Sequence, residues 1–540
     1  MAFPKHVSAL LLFQVVVCNL GALQFGYHLS ELNAPEQYIS CAIKYNDYFG
    51  TNALVDCIPM DANKVGLINS IFSVGGFISA TFAGRAADRF GRKGLTMMNC
   101  VGFILGPVVM SVATNFPLFM LGRFIAGLGA GSSLIVTPMY LNEISPPAMA
   151  GLIGAMCQEF VNIGILSAQV MGIFLSSFMG WRVIVSLGGI LGFINLLLIS
   201  LCVESPKWLT LRNRVHDARV SLIKLRALKD GYATAEEFAE IDLLIESWKE
   251  KPENVKSIVD SGSSSDSTYS KVMDDDDSVA QMSPVEVVHE IGHANDSLSL
   301  IVSAEEGSNS SASTLLPVES ETPHDFHKIT YKEFLVSPKY RRPMIAVIGI
   351  LTAQQLCGIN TMIFYGVTIL STLFPNGAVL VNVLISTLNC LVNLAIAPLV
   401  DRVGRRPLLL ISIGGMCVSS FLLAFGILNR VTVLSGIAAT IFVAFFSVGL
   451  GPIPFLIIPE LTEASSVGVA QSVGFTCNWI STFFIGYLFP IINQAIGGYV
   501  FFILSGIALF YFLLTLKFVP ETKGKKTFQE VWGHEVEEVE

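Results

Sequence analysis

Amide side chains are concentrated in one of the most apolar parts of this 540-residue chain. The stretch QQLCGIN places Gln354, Gln355, Ile359 and Asn360 within a long hydrophobic run. Positions four and five residues apart share roughly one face of a helix, so residues 355, 359 and 360 should point the same way. An amide both donates and accepts hydrogen bonds and carries no charge. The cluster therefore predicts either contacts to an uncharged, hydroxyl-bearing ligand or interhelical hydrogen bonds, worth about 1 kcal/mol each.

Three ionisable residues lie where a lipid-spanning helix normally holds none. His28 is the only one of eight histidines inside a long hydrophobic segment, and histidine exchanges protons near neutral pH. Arg123 and Glu159 lie in the fourth and fifth hydrophobic runs. Since ionisable residues at that depth are functional candidates by default, we expect these three to be sites of proton coupling, with Glu159 able to balance Arg123. The alternative is that His28 only forms a hydrogen bond between helices.

A charged pattern occurs twice in the chain. GRAADRFGRKG (84–94) contains Asp88 and Arg92, and APLVDRVGRRP (397–407) contains Asp401 and Arg405. An acid, a basic residue, a glycine and two further basic residues recur at the same spacing. Many secondary transporters consist of two duplicated halves, with the substrate site at their interface near the middle of the membrane. The repeat therefore predicts two homologous halves.

The elements that position these residues are membrane helices. The chain is 52% hydrophobic and only 14% charged, whereas soluble proteins carry about a quarter charged residues. A helix needs about 20 apolar residues to cross a bilayer, and the runs are too long and continuous for barrel strands. We expect an all-α polytopic membrane protein with twelve transmembrane helices, near residues 8–30, 64–84, 95–114, 117–140, 151–175, 182–203, 343–372, 378–400, 407–427, 433–460, 467–490 and 495–519.

Basic residues and cysteines in the loops indicate the orientation. Arginine and lysine are concentrated in the loops at 85–93 and 402–406, and such short basic loops face the cytosol. We therefore expect a multi-pass protein with both termini and the central loop in the cytosol. Cys41 and Cys57 fall in the first non-cytosolic loop, where a disulfide is chemically allowed, although spacing alone does not establish the geometry.

The central loop holds most of the acidity. Residues 252–325 carry 15 acidic and two basic residues, whereas the other 466 residues carry 27 acidic and 31 basic ones. This composition cannot bury enough apolar surface to fold, so we expect a disordered tether or a segment (252–327) that is phosphorylated or binds a regulatory partner. We divide the chain into a first six-helix half, cytosolic amphipathic helices, an acidic serine-rich insertion, a second six-helix half and a cytosolic tail, at residues 1–203, 204–250, 251–328, 329–519 and 520–540.

Several classes of function find no support in the sequence. The acidity is local, so a nucleic-acid partner is not indicated. No phosphate-binding G-x-x-x-x-G-K-[ST] loop favours a nucleotide-driven pump, and no zinc or nucleophile pattern favours an enzyme. We expect no catalytic residues, no cofactor and no metal.

Nine motifs in order identify a family resemblance: GRAADRFGRK, LGRFIAGLGAG, PMYLNEISPPAMAG, ESPKWL, QQLCGIN, DRVGRR, GPIPF, NWISTFFIG and VPETKG. The chain resembles the sugar porter family of the major facilitator superfamily, which includes facilitative glucose transporters and proton-coupled sugar symporters. The motif GPIPF is expected to break the tenth helix. The stretch FGYHLSELNAP is most similar to a fungal subgroup of metabolite transporters, some of them vacuolar. The resemblance implies a monomeric transporter in a vacuolar or plasma membrane.

The resemblance also implies roles for particular residues. The residues that match sugar contacts in the family are Gln158, Gln354, Gln355, Ile359, Asn360, Asn389, Phe455, Asn478 and Trp479. Those that match a cytosolic ion-pair network joining the halves are Asp88, Arg92, Glu143, Glu204, Asp401, Arg405 and Glu460. Arg123 matches an arginine that pairs with an acid of the first helix in proton-coupled members.

This chain departs from the family pattern at several positions. Ala150 and Val467 replace an arginine of each half, which predicts a weaker cytosolic latch and a population shift toward an inward-open state. His28 replaces the aspartate or asparagine usual at that position, and Phe455 replaces a tryptophan. We therefore expect transport of a hexose or related polyol, facilitative or proton-coupled. The alternative is a membrane sugar sensor that signals through the cytosolic insertion.

Overall fold

The structure is a computed structural model, and it describes residues 8–42, 56–146, 149–226, 241–246, 248, 331–375, 377–463, 466–525 and 527–533. All of the regular secondary structure within these ranges is helical. The acidic insertion predicted at 251–328 lies outside the described residues.

The helices of the first half begin at side-chain caps. Ser8, Asp61 and Asn115 each accept a hydrogen bond from the backbone N–H three residues later, at 2.8 to 3.0 Å. These oxygens satisfy N–H groups that have no partner within a first helical turn. The helices of this part of the chain are α1 (Ala9–Ser30), α2 (Glu36–Ile39), α3 (Ala62–Phe90), α4 (Arg92–Ser111), α5 (Phe116–Ile144), α6 (Ala150–Leu175), α7 (Gly180–Ser200), α8 (Pro206–Leu211) and α9 (Val215–Leu225).

The second half repeats the pattern with more interruptions. Its helices are α10 (Tyr331–Val336), α11 (Arg341–Leu356), α12 (Ile359–Ser371), α13 (Ala378–Val403), α14 (Arg405–Leu428), α15 (Thr432–Val448), α16 (Ile453–Leu461), α17 (Val467–Ile496), α18 (Val500–Phe518) and α19 (Phe528–Trp532). A 3₁₀ turn at Pro338–Tyr340 precedes α11.

Twelve membrane-spanning helices are confirmed. Eleven helical segments of the described chain are long and apolar enough to cross a membrane. The last segment, Val467–Phe518, contains both α17 and α18, which a 3₁₀ turn at Gly497–Tyr499 separates. These segments coincide with the twelve hydrophobic runs of the sequence.

Two of the spans are broken in the middle. The seventh consists of α11 and α12, separated at Gly358, whose φ of +101° is readily adopted only by glycine. The tenth consists of α15 and α16, separated at 449–452, which confirms the break predicted at GPIPF. Each break frees backbone groups near the centre of the bundle, and side chains must satisfy them.

The two halves pack along two seams, α3 against α17 and α6 against α13. Gly76 on α3 lies directly against the indole of Trp479 on α17: a Cβ at Gly76 would lie 2.5 Å from two ring carbons. Absence of a side chain at Gly76 therefore allows the large aromatic ring to reach the interface between the halves.

Two features lie outside the membrane helices. The described residues between 209 and 248 belong to a unit separate from that of the membrane helices, and in it Leu222, Ile241 and Ile245 form a small apolar core. α9 and the helical residues 241–246 lie within the stretch 204–250, where amphipathic helices are predicted. In the first loop, Cys41 and Cys57 form a disulfide with a Cα–Cα distance of 5.4 Å, the pairing that the sequence left open.

Candidate functional site

A cavity between the two halves collects the predicted sugar contacts. The empty space between the surrounding side chains, counting the part open to solvent, is about 590 Å³. The nine residues that the resemblance singled out all line it: Gln158, Gln354, Gln355, Ile359, Asn360, Asn389, Phe455, Asn478 and Trp479. The structure therefore brings residues from five different spans together around one space.

Hydrogen bonds between the amides of the second half fix their orientation. Gln355 Nε2 donates to Asn478 Oδ1 at 3.1 Å, and Asn360 Nδ2 donates to Gln355 Oε1 at 2.6 Å. Asn478 Nδ2 donates in turn to Gln354 Oε1 at 2.8 Å. Because each amide holds its neighbour, a ligand would meet donors and acceptors that are already positioned.

Gln354 also has a structural role. Its Nε2 donates to the carbonyl of Leu450 at 2.9 Å, which lies in the break between α15 and α16. The side chain is buried, and both ends of its amide are used within the protein. Gln354 thus couples the broken seventh and tenth spans in addition to lining the cavity.

Asn162, which the sequence reading missed, links the amides of the two halves. Its Oδ1 accepts from Gln158 Nε2 and from Asn389 Nδ2, each at 3.2 Å. Ser447 donates to the Oδ1 of Asn389. The available signal was its spacing, since Asn162 follows Gln158 by four residues on the same face of α6.

Aromatic side chains form the walls of the cavity. The ring of Phe25 lies 5.9 Å from the ring of Trp479 in an edge-on arrangement, and Phe455 packs 5.6 Å from Phe475. Among the described residues, Trp479 Nε1 has no hydrogen-bond partner although it is buried. An indole N–H in that condition is a donor available to a ligand. Phe25 was not among the predicted contacts, because an apolar residue in an apolar run gives no signal.

A buried ion pair lies beyond the cavity, at the end of α1. Arg123 Nη1 on α5 donates to Glu31 Oε1 at 3.0 Å and to the carbonyl of His28 at 2.6 Å. His28 Nδ1 lies 3.0 Å from the other carboxylate oxygen, Glu31 Oε2. All three side chains are at most 1% exposed. Glu31, Arg123 and His28 thus form a three-residue cluster that is buried from solvent.

Packing restricts this cluster on the remaining sides. The guanidinium of Arg123 lies 4.7 Å from the ring centroid of Phe72, a cation–π contact, and the imidazole of His28 stacks on Phe103 at 5.4 Å. Within the described structure, Arg123 Nε and Nη2 and His28 Nε2 have no hydrogen-bond partner. The carboxylate of Glu31 is therefore the main compensation for the charge of Arg123.

The structure assigns the partner of Arg123 differently from the sequence reading. We expected that Glu159 could either balance Arg123 or carry a coupling proton; the carboxylate beside Arg123 belongs to Glu31. Glu159 instead accepts a hydrogen bond from Asn393 Nδ2 at 2.8 Å, across the seam between α6 and α13. Glu31 was missed because it lies one residue past the end of α1, although its position three residues after His28 would have placed both on one face.

The predicted cytosolic network forms ion pairs inside each half. In the first half, Arg92 Nε lies 2.8 Å from Glu143 Oε2, Arg92 Nη1 lies 3.4 Å from Asp88, and the backbone N–H of Arg92 donates to Glu204 Oε1 at 3.0 Å. Ser205 Oγ donates to Glu143 Oε2, the oxygen that also pairs with Arg92 Nε. The pairs described here lie within the first half; the expectation that this network also joins the halves when the cytosolic side closes stays a prediction.

The second half repeats the arrangement group by group. Arg405 Nη2 lies 2.8 Å from Glu460 Oε1, and the backbone N–H of Arg405 donates to Glu521 Oε1 at 3.0 Å. Thr522 donates to Glu460 Oε2 at 2.5 Å, as Ser205 does to Glu143. Glu521 was not among the predicted network residues, and the side chain of Asp401 lies outside the described structure. The duplicated motifs therefore hold each half together at its charged end.

A second set of contacts joins the halves on the side predicted to be non-cytosolic. Asn33 Oδ1 accepts from the backbone N–H of Val367 at 2.9 Å, and Thr368 Oγ1 donates to Glu36 Oε1 at 3.3 Å. Glu36 lies outside the spanning segments, and its Oε2 is buried without a hydrogen-bond partner among the described residues. Burial raises the pKa of the Glu36 carboxyl to about 8, although the Thr368 hydroxyl opposes this shift. We therefore expect the strength of this contact to depend on pH.

Comparisons with known proteins agree with this architecture. The family model described as sugar (and other) transporter matches residues 14–262 and 296–532. A probable metabolite transport protein of Saccharomyces cerevisiae is 34% identical over 98% of this chain and 96% of its own length. The human facilitated glucose transporter member 4 is 28% identical over 98% of this chain and 91% of its own.

Two further comparisons concern a yeast protein and a solved structure. The vacuolar protein sorting-associated protein 73 of S. cerevisiae is 30% identical over 96% of this chain and 95% of its own length. The xylose transporter XylE of E. coli, in a partially occluded inward-open conformation, superimposes with a TM-score of 0.67 at 18% identity, over 95% of this chain and all of that chain. It shares the major facilitator fold. The chain thus belongs to the sugar (and other) transporter family, as a sugar porter of the major facilitator superfamily with fungal relatives.

Proposed function

We propose that this protein moves a hexose or a related polyol across a membrane by alternating access, without covalent chemistry. The observation that carries the proposal is the cavity between the halves, whose polar lining consists of pre-oriented amides from both halves. The relatives support it, since they are named as transporters of glucose, xylose and metabolites.

The chemistry of the lining favours an uncharged substrate. None of the described residues that line the cavity carries a charge. A charged substrate would lose its hydration there without a compensating ion pair, whereas the hydroxyls of a sugar exchange water for amide donors and acceptors. The aromatic walls at Phe25 and Trp479 suit the apolar faces of a sugar ring.

The positions of the broken helices suit alternating access. Gly358 interrupts the seventh span beside the amide cluster, and residues 449–452 interrupt the tenth. A break lets one part of a span tilt while the rest stays packed. The contacts of Asn33 and Glu36 to α12 would have to separate for the non-cytosolic side to open, so these contacts act as a gate.

We also propose that the cluster of Glu31, Arg123 and His28 couples transport to protons. A buried carboxylate that gains a proton no longer compensates Arg123, so protonation changes the packing between α1 and α5. Both elements adjoin the cavity, through Phe25 and Leu29 on α1 and Leu134 on α5. Glu159 is the competing site, because it bridges the halves through Asn393.

Uptake into proteoliposomes tests the proposal. Purified protein is reconstituted, and the uptake of labelled hexoses, pentoses and polyols is measured with and without a pH gradient. We expect saturable uptake of at least one of them, reduced at least tenfold by Gln355→Ala. The exposed amide of Asn429 gives the matched control, Asn429→Ala, which should transport normally.

Two results would contradict the proposal. If no member of the panel is bound or transported, the cavity is not a sugar site. If a sugar binds but does not cross the membrane, the protein acts as a sugar sensor, the alternative that the long cytosolic insertion raised. We place the monomeric protein in a vacuolar or plasma membrane with its termini in the cytosol, which a fluorescent fusion and protease protection of terminal tags would test.

A further inference from the structure

A second cavity lies at the charged end of the second half, away from the amide site. Its empty volume is about 870 Å³. Three basic residues line it, Arg342, Arg406 and Lys517, beside the aromatic side chains of Phe518 and Trp532. No acidic side chain occurs among the described residues of its lining. The cavity thus combines three positively charged side chains with an apolar, partly aromatic wall.

The three basic residues converge from separate helices. Arg342 lies in the first turn of α11, Arg406 in the first turn of α14, and Lys517 in the last turn of α18. The start of α11 adds the partial positive charge of a helix N-terminus, whereas the start of α14 is capped by the carboxylate of Glu521. Trp532 on α19 completes the wall, and its Nε1 donates to the carbonyl of Leu461 at 3.0 Å.

One hydrogen bond orients the guanidinium of Arg406 and leaves a buried donor unused. Its Nη2 donates to the carbonyl of Leu516 at 2.7 Å, while its Nε is buried without a partner in the described structure. The described residues provide no ion pair for Arg342, Arg406 or Lys517. The nearby carboxylate of Glu521 accepts from the backbone N–H of Arg406 at 3.1 Å and is thus already occupied.

We propose that this cavity binds the phosphate-bearing headgroup of an anionic membrane lipid. Three converging cations can form charge-assisted hydrogen bonds to the oxygens of a phosphate group. Basic pockets between membrane helices on the cytosolic side are typical binding sites for lipid headgroups. A lipid fits better than a soluble phosphate because Leu513 and Leu516, on the same end of α18, are 56% and 47% exposed and offer an acyl chain an apolar surface. The positive-inside rule assigns this end of the bundle to the cytosol, where anionic lipids are concentrated.

Binding of soluble, short-chain lipids to the purified full-length protein tests the proposal. Dioctanoyl phosphatidylinositol 4-phosphate is compared with dioctanoyl phosphatidylcholine and with inositol 1,4-bisphosphate by microscale thermophoresis in neutral detergent. We expect saturable binding of the first alone. Arg342→Gln and Lys517→Gln should each raise its Kd about fivefold, from about 1 kcal/mol for each basic residue. Arg341 is the matched control, since it is exposed on the same turn but does not line the cavity.

Three results would overturn this proposal. Equal affinity for inositol 1,4-bisphosphate would identify a soluble phosphate as the ligand. An equal effect of Arg341→Gln would indicate diffuse attraction to a basic surface. Lipid binding that occurs only after Glu537 and Glu538 are changed to Gln would identify the acidic carboxyl-terminal residues of the chain as the occupant. Sugar uptake by Arg342→Gln in neutral vesicles should equal that of the unmodified protein, which separates this site from the transport function.

Discussion

The most informative perturbation is Glu31→Gln. Arg123 has 0% exposure, and Glu31 Oε1 lies 3.0 Å from its Nη1. Removal of one partner from such a buried pair leaves an uncompensated charge and costs about 3–5 kcal/mol. We expect a clear loss of thermal stability in detergent, and a smaller loss when Arg123→Gln is added, because the double variant no longer buries an unpaired charge.

The same variant tests proton coupling. Glutamine has nearly the shape of glutamate but does not exchange a proton in the physiological range, so Glu31→Gln should abolish accumulation of sugar against its gradient. Exchange of labelled for unlabelled sugar across the membrane requires no net proton movement, and we expect a variant that remains folded to retain it. His28→Asn should keep a polar partner for Glu31 and shift the pH dependence of uptake without abolishing it.

Glu159→Gln tests the competing site, since it removes a carboxylate that bridges the halves without touching Arg123. The assay is uptake driven by an imposed pH gradient, normalised to exchange in the same vesicles. The coupling argument is refuted if Glu31→Gln accumulates sugar as the unmodified protein does, or if Glu159→Gln alone abolishes accumulation. If a pH gradient has no effect on the unmodified protein, the transporter is a uniporter and the cluster is structural.

Three further predictions concern the gate, the first loop and the interface. The pKa of Glu36 is raised to about 8, so the carboxyl holds a proton in the closed gate that it would release in the open one. The closed gate should therefore weaken as pH rises from about 4.5 to 8, by at most about 1.4 kcal/mol for each pH unit. A cysteine introduced at Ile363 should react faster with an impermeant thiol reagent at pH 8 than at pH 5, and Glu36→Gln should remove that difference. Cys41→Ser should lower stability by about 2–4 kcal/mol, read from thermal unfolding, and a reducing agent should have the same effect on the unmodified protein only. Gly76→Leu should force its side chain into Trp479 and cost about 1–3 kcal/mol, with reduced uptake, whereas Gly84→Leu, with open space around it, should be neutral in both assays.

The spans, and the convergence of the amides on one cavity, follow from the sequence for a physical reason. Hydrophobic runs of fixed minimum length have few alternative structures in a bilayer, and polar residues inside such runs stand out. Gln355, Asn360 and Asn478 were recognisable because they interrupt an apolar pattern. The cavity residues that were missed, such as Phe25 and Leu134, continue that pattern and carry no such signal.

The partner of Arg123 was missed for a different reason. Glu31 follows the end of the first hydrophobic run, so its position does not mark it as a buried acid, whereas Glu159 lies inside a run. Burial of Glu31 depends on how residues 31–35 fold back after α1, which tertiary packing determines. Glu521 was missed similarly, since the proline and threonine beside it in VPETKG gave no indication that its carboxylate caps the backbone of Arg405.

The placement of the ion pairs indicates where motion between the halves is least costly. Arg92 and Arg405 form charged contacts within their own halves, so these pairs make each half stiff without holding the two together. The α6–α13 seam depends instead on bonds such as Asn162 to Asn389, and hydrogen bonds of this kind inside membranes average about 0.6 kcal/mol. Breaking several of them costs only a few kcal/mol, which is within the range that a bound ligand can shift. If the two halves rock around one substrate as proposed, the ion pairs stiffen each half and the weaker hydrogen bonds between the halves are the ones that break.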